Sequence, residues 1–227
     1  MMVPFYLLAL ILCIVISHGG SKGLTAMIER TPLSNRSCIV LDAGHGGIDG
    51  GALSCTGIPE SQINLRITQR VNDLLNFLGY DTIMLRTTET SLHIQGATIS
   101  AQKISDLKQR VKLVNENSPA LLISIHQNTF SDKRYSGAQV FHCADEGSRI
   151  LAQQLQLNLI QTVNKGSKRT PKQAKGIYLM EHINCPGILV ECGFLTNENE
   201  EALLRGDEYQ KKLSAVIAAT VNYWLRK

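Results

Sequence analysis

The chain has 227 residues, 44% of them apolar and 19% charged, with a formal net charge of +4. That supplies one domain with a real core and excludes a wholly disordered chain. Positive charge is scattered except between residues 165 and 175, so a solvated basic loop is expected there and no nucleic-acid partner.

The first element is an almost wholly apolar run over residues 3–17, ending in Ser17-His18-Gly19-Gly20, with Lys22 the first charge after the start. It is shorter than the roughly 20 residues that cross a bilayer comfortably, and its end resembles a small-residue cleavage site. No Lys or Arg precedes it, so a cleaved signal peptide and a membrane anchor both stay open for residues 1–20. Either implies export to the outer side of a membrane. A polar linker is expected over 21–36 and one catalytic domain over 37–227.

The run Cys38-Ile39-Val40-Leu41 reads as a buried strand breaking at Gly44-His45-Gly46-Gly47. From Glu60 the apolar residues Ile63, Ile67, Val71, Leu74, Leu75 and Leu78 fall at helical spacing, with Gly79 closing the run. Residues 82–85 predict a second strand. A long polar loop over 87–105 then leads to a second helix carrying Leu107, Val111 and Val114. Residues 120–125 are apolar on both faces, as in a central parallel strand covered by helices, and end on His126. Further strands are predicted at 138–141, 177–180 and 187–190, the last ending on Glu191, and helices at 150–163, 198–204 and 209–224. The alternation predicts a single α/β domain, a mostly parallel twisted sheet with helices on both faces.

Open α/β sheets bind ligands beyond the carboxyl ends of their strands. His45, His126 and Glu191 all fall at such ends, and Glu60 begins the first helix. Two imidazoles, one carboxylate and an open fourth position make a catalytic zinc set, and a second carboxylate then has the task of moving a proton. Asp42 is placed to accept the other ring N–H of a ligand histidine. Each residue also has a duller reading: Glu60 as an acid favoured at a helix N-terminus, Asp42 as a turn cap, His126 as a satisfied strand-end residue. Two decoys fail on context. Gly19-Gly20-Ser21-Lys22-Gly23 fits G-x-S-x-G but lies in the polar linker, with no strand before it. The loop from Gly44 puts Asp49 where G-x-G-x-x-G needs its last glycine.

Six cysteines, at 13, 38, 55, 143, 185 and 192, include no C-x-x-C pair. They make no zinc knuckle, and most are expected to be small buried hydrophobes.

The segments Leu41-Asp42-Ala43-Gly44-His45-Gly46-Gly47, Pro59-Glu60, Ser124-Ile125-His126-Gln127-Asn128 and Leu189-Val190-Glu191-Cys192-Gly193-Phe194-Leu195-Thr196-Asn197 resemble, in order, the zinc N-acetylmuramoyl-L-alanine amidases of the bacterial cell wall. The resemblance implies Zn2+ on His45, Glu60 and His126, with Glu191 as catalytic acid and base. The implied reaction hydrolyses the amide joining the lactyl group of muramic acid to L-alanine, so the implied partner is peptidoglycan with its stem peptides. Asn128 and Arg86 lie near the motifs and are candidate substrate contacts. The chain departs from the family's usual pattern at Ala43, Ser61 and His142, none of them a ligand. Cys192, the absence of wall-binding repeats and Ile177-Tyr178-Leu179-Met180 look most like the sporulation branch, which implies spore-cortex peptidoglycan on the way to muramic-δ-lactam. The alternative is a non-catalytic peptidoglycan-binding or scaffold protein on the same fold. No motif specifies an activating protein partner.

Overall fold

The computed structural model describes residues 38–227; the expected leader and linker lie outside them. Strand β1, Cys38–Ala43, has every residue after the first buried. The other strands are β2 (Asp81–Met84), β3 (Leu121–Asn128), β4 (Gln139–His142), β5 (Lys172–Gln173) and β6 (Gly187–Phe194). They form one sheet in the order β2-β1-β3-β6-β4-β5. All neighbours are parallel except β4 and β6. The helices are α1 (Glu60–Phe77), α2 (Ile99–Asn117), α3 (Glu146–Thr162), α4 (Tyr178–His182), α5 (Glu198–Arg205) and α6 (Asp207–Leu225).

Alternation along the strands sorts their residues between two cores. Ile39 and Leu41 of β1 and Leu121, Ile123 and Ile125 of β3 pack with α1, α3 and α6 through Ile63, Ile67, Leu151, Leu155, Leu213 and Ile217. Val40, Leu122 and Leu189 face the other way, into a smaller cluster with Val114 of α2 and Leu179 and Met180 of α4. Each fully buried Leu or Ile contributes roughly 1.5–3 kcal/mol by leaving water, so the larger cluster dominates stability. On the second face, the residues that follow Val40 and Leu122 at the same parity are Asp42, Ser124 and His126, and Glu191 follows Leu189. The polar site therefore occupies the upper part of the face whose lower part is apolar.

Two expectations are corrected. The polar stretch 87–105 is not all loop: Thr98 caps a helix by accepting from the Ala101 N–H at 3.1 Å, and α2 starts at Ile99. Of the apolar residues expected on α2, Val114 is buried and Val111 packs partly against the smaller core. Asp106, Arg110 and Val114 are buried, whereas Leu107 is exposed. Residues 177–180 are not a strand. They open α4, where Leu and Met favour a helix, the Tyr178 and His182 rings stack at 4.0 Å, and Leu179 and Met180 point into the smaller core. The apolar run was too short for periodicity to separate the two states. No helix of the described residues is long and apolar enough to cross a membrane.

Candidate active site

Parallel strands β1, β3 and β6 end on one rim, and the polar residues gather there. The ladder between β1 and β3 continues one step past β1, with the Gly44 N–H donating to the Ile125 carbonyl at 3.0 Å. This brings Gly44 under the ring of His126, where a Cβ would lie 2.2 Å from Cε1 and Nε2. Only glycine leaves room for that ring. His45 follows with φ +61°, a left-handed conformation that costs a non-glycine residue on the order of 1–3 kcal/mol and persists only where surroundings enforce it.

Two buried arginines enforce it. Arg110 of α2 donates to the carbonyls of Ala43 at 3.0 Å and His45 at 2.7 Å, and pairs with Asp106 at 2.6 Å and with Asp42. Arg86 donates to Ala43, Gly44 and Ser61 at 2.8, 3.0 and 2.8 Å. Arg86 is thus a buried clamp on the loop and not an exposed candidate for substrate. Asp42 also differs from the sequence expectation. Its carboxylate accepts from Ser124 Oγ at 2.6 Å and from Arg110, so its partners are these and not a ring N–H. Burial alone would raise its pKa, but Arg110, with help from His126 and Ser124, holds it below the ordinary range.

The tautomer of His45 is set by Asp49, whose Oδ2 accepts from Nδ1 at 2.9 Å while Lys103 of α2 pairs with Oδ1 at 2.7 Å. A carboxylate needs a donor, so Nδ1 carries the hydrogen and Nε2 faces the centre of the site. Across that centre stands Glu60, the first residue of α1. Its Oε2 lies 3.3 Å from His45 Nε2 and its Oε1 3.1 Å from His126 Nδ1. The carboxylate is fixed from behind by the N–H groups of Ala52 and Gln127 and by the Asn64 amide, at 3.1, 3.0 and 3.1 Å. Gly51 completes the fit, since a Cβ there would lie 2.6 Å from Glu60 Oε2 and 2.8 Å from His45 Cδ2.

Ligand atoms of His45, Glu60 and His126 all lie within 4.8 Å of one another. An imidazole nitrogen this close to a carboxylate oxygen must carry a hydrogen or share a metal ion with it. Accordingly, although burial opposes the charge, Glu60 and Asp49 raise the His45 pKa to about 9. Burial likewise opposes ionisation of Glu60, but both histidines hold it far below the carboxylate range. Zinc bonds of about 2.0–2.1 Å in a tetrahedron set donors roughly 3.3 Å apart. The spacings from the histidines to Glu60, 3.1 Å to Oε1 and 3.3 Å to Oε2, are of that size, one to each carboxylate oxygen.

Glu191 is the Cα partner of His126 across β3 and β6, but it stands apart from the cluster. Its Oε2 is shielded from solvent and has no hydrogen-bond partner. Burial, reinforced by Glu60 and opposed by His126 and His45, raises its pKa to about 7. Asn128 ends β3 just past a register shift, and its carbonyl accepts from the Leu195 N–H at 2.8 Å. Of the described cysteines, Cys143 and Cys192 are buried, Cys38 and Cys185 half-buried and Cys55 exposed, all with free thiols. Sequence reading missed Asp49, Lys103 and Arg110. The usable signal for the last was Asp106, Arg110 and Val114 at four-residue steps, a charged stripe ending in an apolar residue on one helix face.

The profile of a protein family described as N-acetylmuramoyl-L-alanine amidase matches residues 39–223. The chain is 37% identical over 203 residues to the germination-specific N-acetylmuramoyl-L-alanine amidase of Bacillus subtilis, covering 86% of this chain and 83% of that one. It is also similar to the CwlD amidase from Clostridioides difficile, solved in complex with the GerS lipoprotein, with a TM-score of 0.81, 36% identity, and coverage of 84% and 98%. The N-acetylmuramoyl-L-alanine amidase from Clostridium difficile 630 superposes with a TM-score of 0.74 at 29% identity, covering 86% and 99%.

Proposed function

The chain belongs to the N-acetylmuramoyl-L-alanine amidase family and is an amidase of peptidoglycan, and from that premise we propose that His45, Glu60 and His126 hold a zinc ion while Glu191 moves the proton. The observation that carries this is the convergence of three donors beside a shielded carboxylate oxygen with no partner. When bound, zinc supplies Lewis acidity, which polarises the scissile carbonyl and acidifies water. The protein's own residues do the rest. Glu191 takes a proton from the attacking water and returns it to the leaving nitrogen, so the C–N bond breaks to give the lactyl carboxylate of muramic acid and the free amino group of L-alanine. A pKa of about 7 suits a group that must both accept and give a proton near neutrality. Asp49 fixes the His45 tautomer, and Arg86 and Arg110 hold the loop that carries it. Asn128 is a candidate substrate contact at the rim.

We further propose that the substrate is spore-cortex peptidoglycan and the product a step towards muramic-δ-lactam, a reading supported by the germination-specific relative. In this reading residues 1–20 deliver the enzyme to the outer side of a membrane, 21–36 link, and 37–227 catalyse. That the CwlD amidase was solved with a lipoprotein supports a protein partner for this chain as well.

The deciding experiment is digestion of purified peptidoglycan with zinc-loaded enzyme, followed by mass spectrometry of the muropeptides. Release of peptides beginning with L-alanine is expected. Glu191→Ala is expected to keep its fold and zinc and lose release, and His126→Ala to lose zinc. Unchanged release by the first, or stoichiometric zinc in the second, refutes the assignment.

A further inference from the structure

A second feature of the same rim is not used by the metal cluster. Because β4 runs antiparallel to β6, the chain enters β4 beside the point where β6 reaches Glu191, and Gln139 is the Cα partner of Glu191. Adjacent strands lie roughly 4.8 Å apart, so whatever borders Gln139 on its far side is a near neighbour of the proton carrier. On that side Gln139 meets Thr170 and Arg169, and beyond Arg169 opens a cleft of about 1010 Å³ between residues 132–137, residues 164–169 and α5, large enough for several residues of a peptide.

Arg169 stands between the cleft and the strand. Its Nε donates to the Ser136 carbonyl at 2.9 Å and its Nη1 to Gln139 Oε1 at 3.4 Å, while the guanidinium lies 4.6 Å over the Phe194 ring. These contacts fix the head and leave Nη2 for a ligand. Lys165 and Lys168 line the same cleft and are exposed. Among the described residues no carboxylate forms an ion pair with Arg169, Lys165 or Lys168, whereas Arg134 is neutralised by Asp132 at 2.7 Å. Glu200 is the other acid of the cleft, but its two oxygens are taken by the N–H groups of Gly137 and Phe194, both at 2.8 Å. Three cations therefore face one engaged carboxylate.

The two sides of the cut amide differ in charge. The glycan side is a largely neutral sugar chain, whereas the leaving side is a peptide with several free carboxylates. Arginine and lysine heads receive carboxylates, and the fixed fork of an arginine can do so bidentately. We propose that this cleft binds the acidic stem peptide on the leaving side of the cut amide, with Arg169, Lys165 and Lys168 receiving its carboxylates, so that charge decides which way the substrate lies across the rim. The proposal rests on the amidase reading of the metal cluster.

The test is calorimetric binding of the free stem peptide, L-alanyl-γ-D-glutamyl-diaminopimelyl-D-alanine, to the full, zinc-loaded chain, compared with the same peptide whose carboxyls are amidated. The acidic peptide should bind the wild type at least about tenfold more tightly, a difference of about 1.4 kcal/mol, and lose that advantage as salt rises. The double variant Lys165→Gln/Lys168→Gln, which removes only exposed charges, should lose most of the preference, and Arg169→Gln should do the same. Equal affinity for the two peptides, or an undiminished preference in the double variant, overturns the proposal. Because the assay needs no turnover, it separates from the preceding one. Enzyme that releases L-alanine peptides without this preference refutes the cleft alone, and a charge-dependent preference in a chain that releases nothing refutes the amidase mechanism alone.

Discussion

Replacing Arg110 by Met should be among the costliest single changes at the rim. The substitution keeps the volume of the stem and removes a guanidinium that pairs with Asp42 and Asp106 and donates to the carbonyls of Ala43 and His45. Asp42, 1% exposed, would keep only the Ser124 hydroxyl. A buried ion pair broken on one side costs roughly 3–5 kcal/mol, because the remaining charge is uncompensated. For a domain of this size that loss corresponds to a fall in Tm of roughly 6–20 °C. The sign of its pH dependence follows from Asp42. In the wild type Arg110 holds its pKa low, so the stability it contributes is present above the ordinary carboxylate pKa near 3.9 and lost as pH falls below it. In the variant, burial acts unopposed by Arg110, so Asp42 takes up a proton more readily and its penalty fades towards acid. The gap between the two proteins should therefore be widest at neutral pH and close below about pH 4. Urea unfolding followed by the fluorescence of Trp224, the single tryptophan, measures it at both pH values. Adding Asp42→Asn should recover part of the loss at pH 7, since removing both charges is far cheaper than stranding one. A cost under about 1 kcal/mol at pH 7, or a gap that does not close towards acid, refutes the reasoning.

In metal-free protein, Glu191 keeps its proton to about pH 7, whereas an exposed glutamate releases it near 4.3. The contribution of Glu191 to stability should thus fall by about 4 kcal/mol as pH rises through that window. Glu191→Gln should flatten the profile, and parallel profiles in urea melts would count against a shielded carboxyl. Gly44→Ala drives a methyl into the His126 ring; zinc affinity measured with a chromogenic chelator should drop at least tenfold, as for a disturbed ligand orientation, while the circular dichroism stays native. Asp49→Ala removes the acceptor that fixes the His45 tautomer, and the same titration should show a loss of roughly 10–100-fold. An unchanged affinity would mean that His45 is oriented by something else.

What could be read from the chain and what could not divide along a physical line. The strands β1, β3 and β6 were legible because burial on both faces writes a continuous apolar run, and a polar residue at the end of such a run stands out: His45, His126 and Glu191 were all found that way. Glu60 and Glu191 could be separated only by the motif resemblance. Composition gives both as acids near a rim, and their difference lies in partners, since Glu60 is held by two amide N–H groups and Asn64 while Glu191 Oε2 has none. The support for the site was illegible for another reason. Arg110, Arg86 and Lys103 are ordinary helix and loop cations until the chain folds, and their roles come from carbonyls and carboxylates that approach from as far as 68 positions away. An amphipathic reading assigns such residues to solvent by default. The same default set aside the basic stretch around Lys165 to Arg169 as a solvated loop. The cleft beside Gln139 offers a reason for its charge only because β4 is antiparallel to β6 and brings that loop to the rim, a fact of pairing direction that no local pattern of residues encodes.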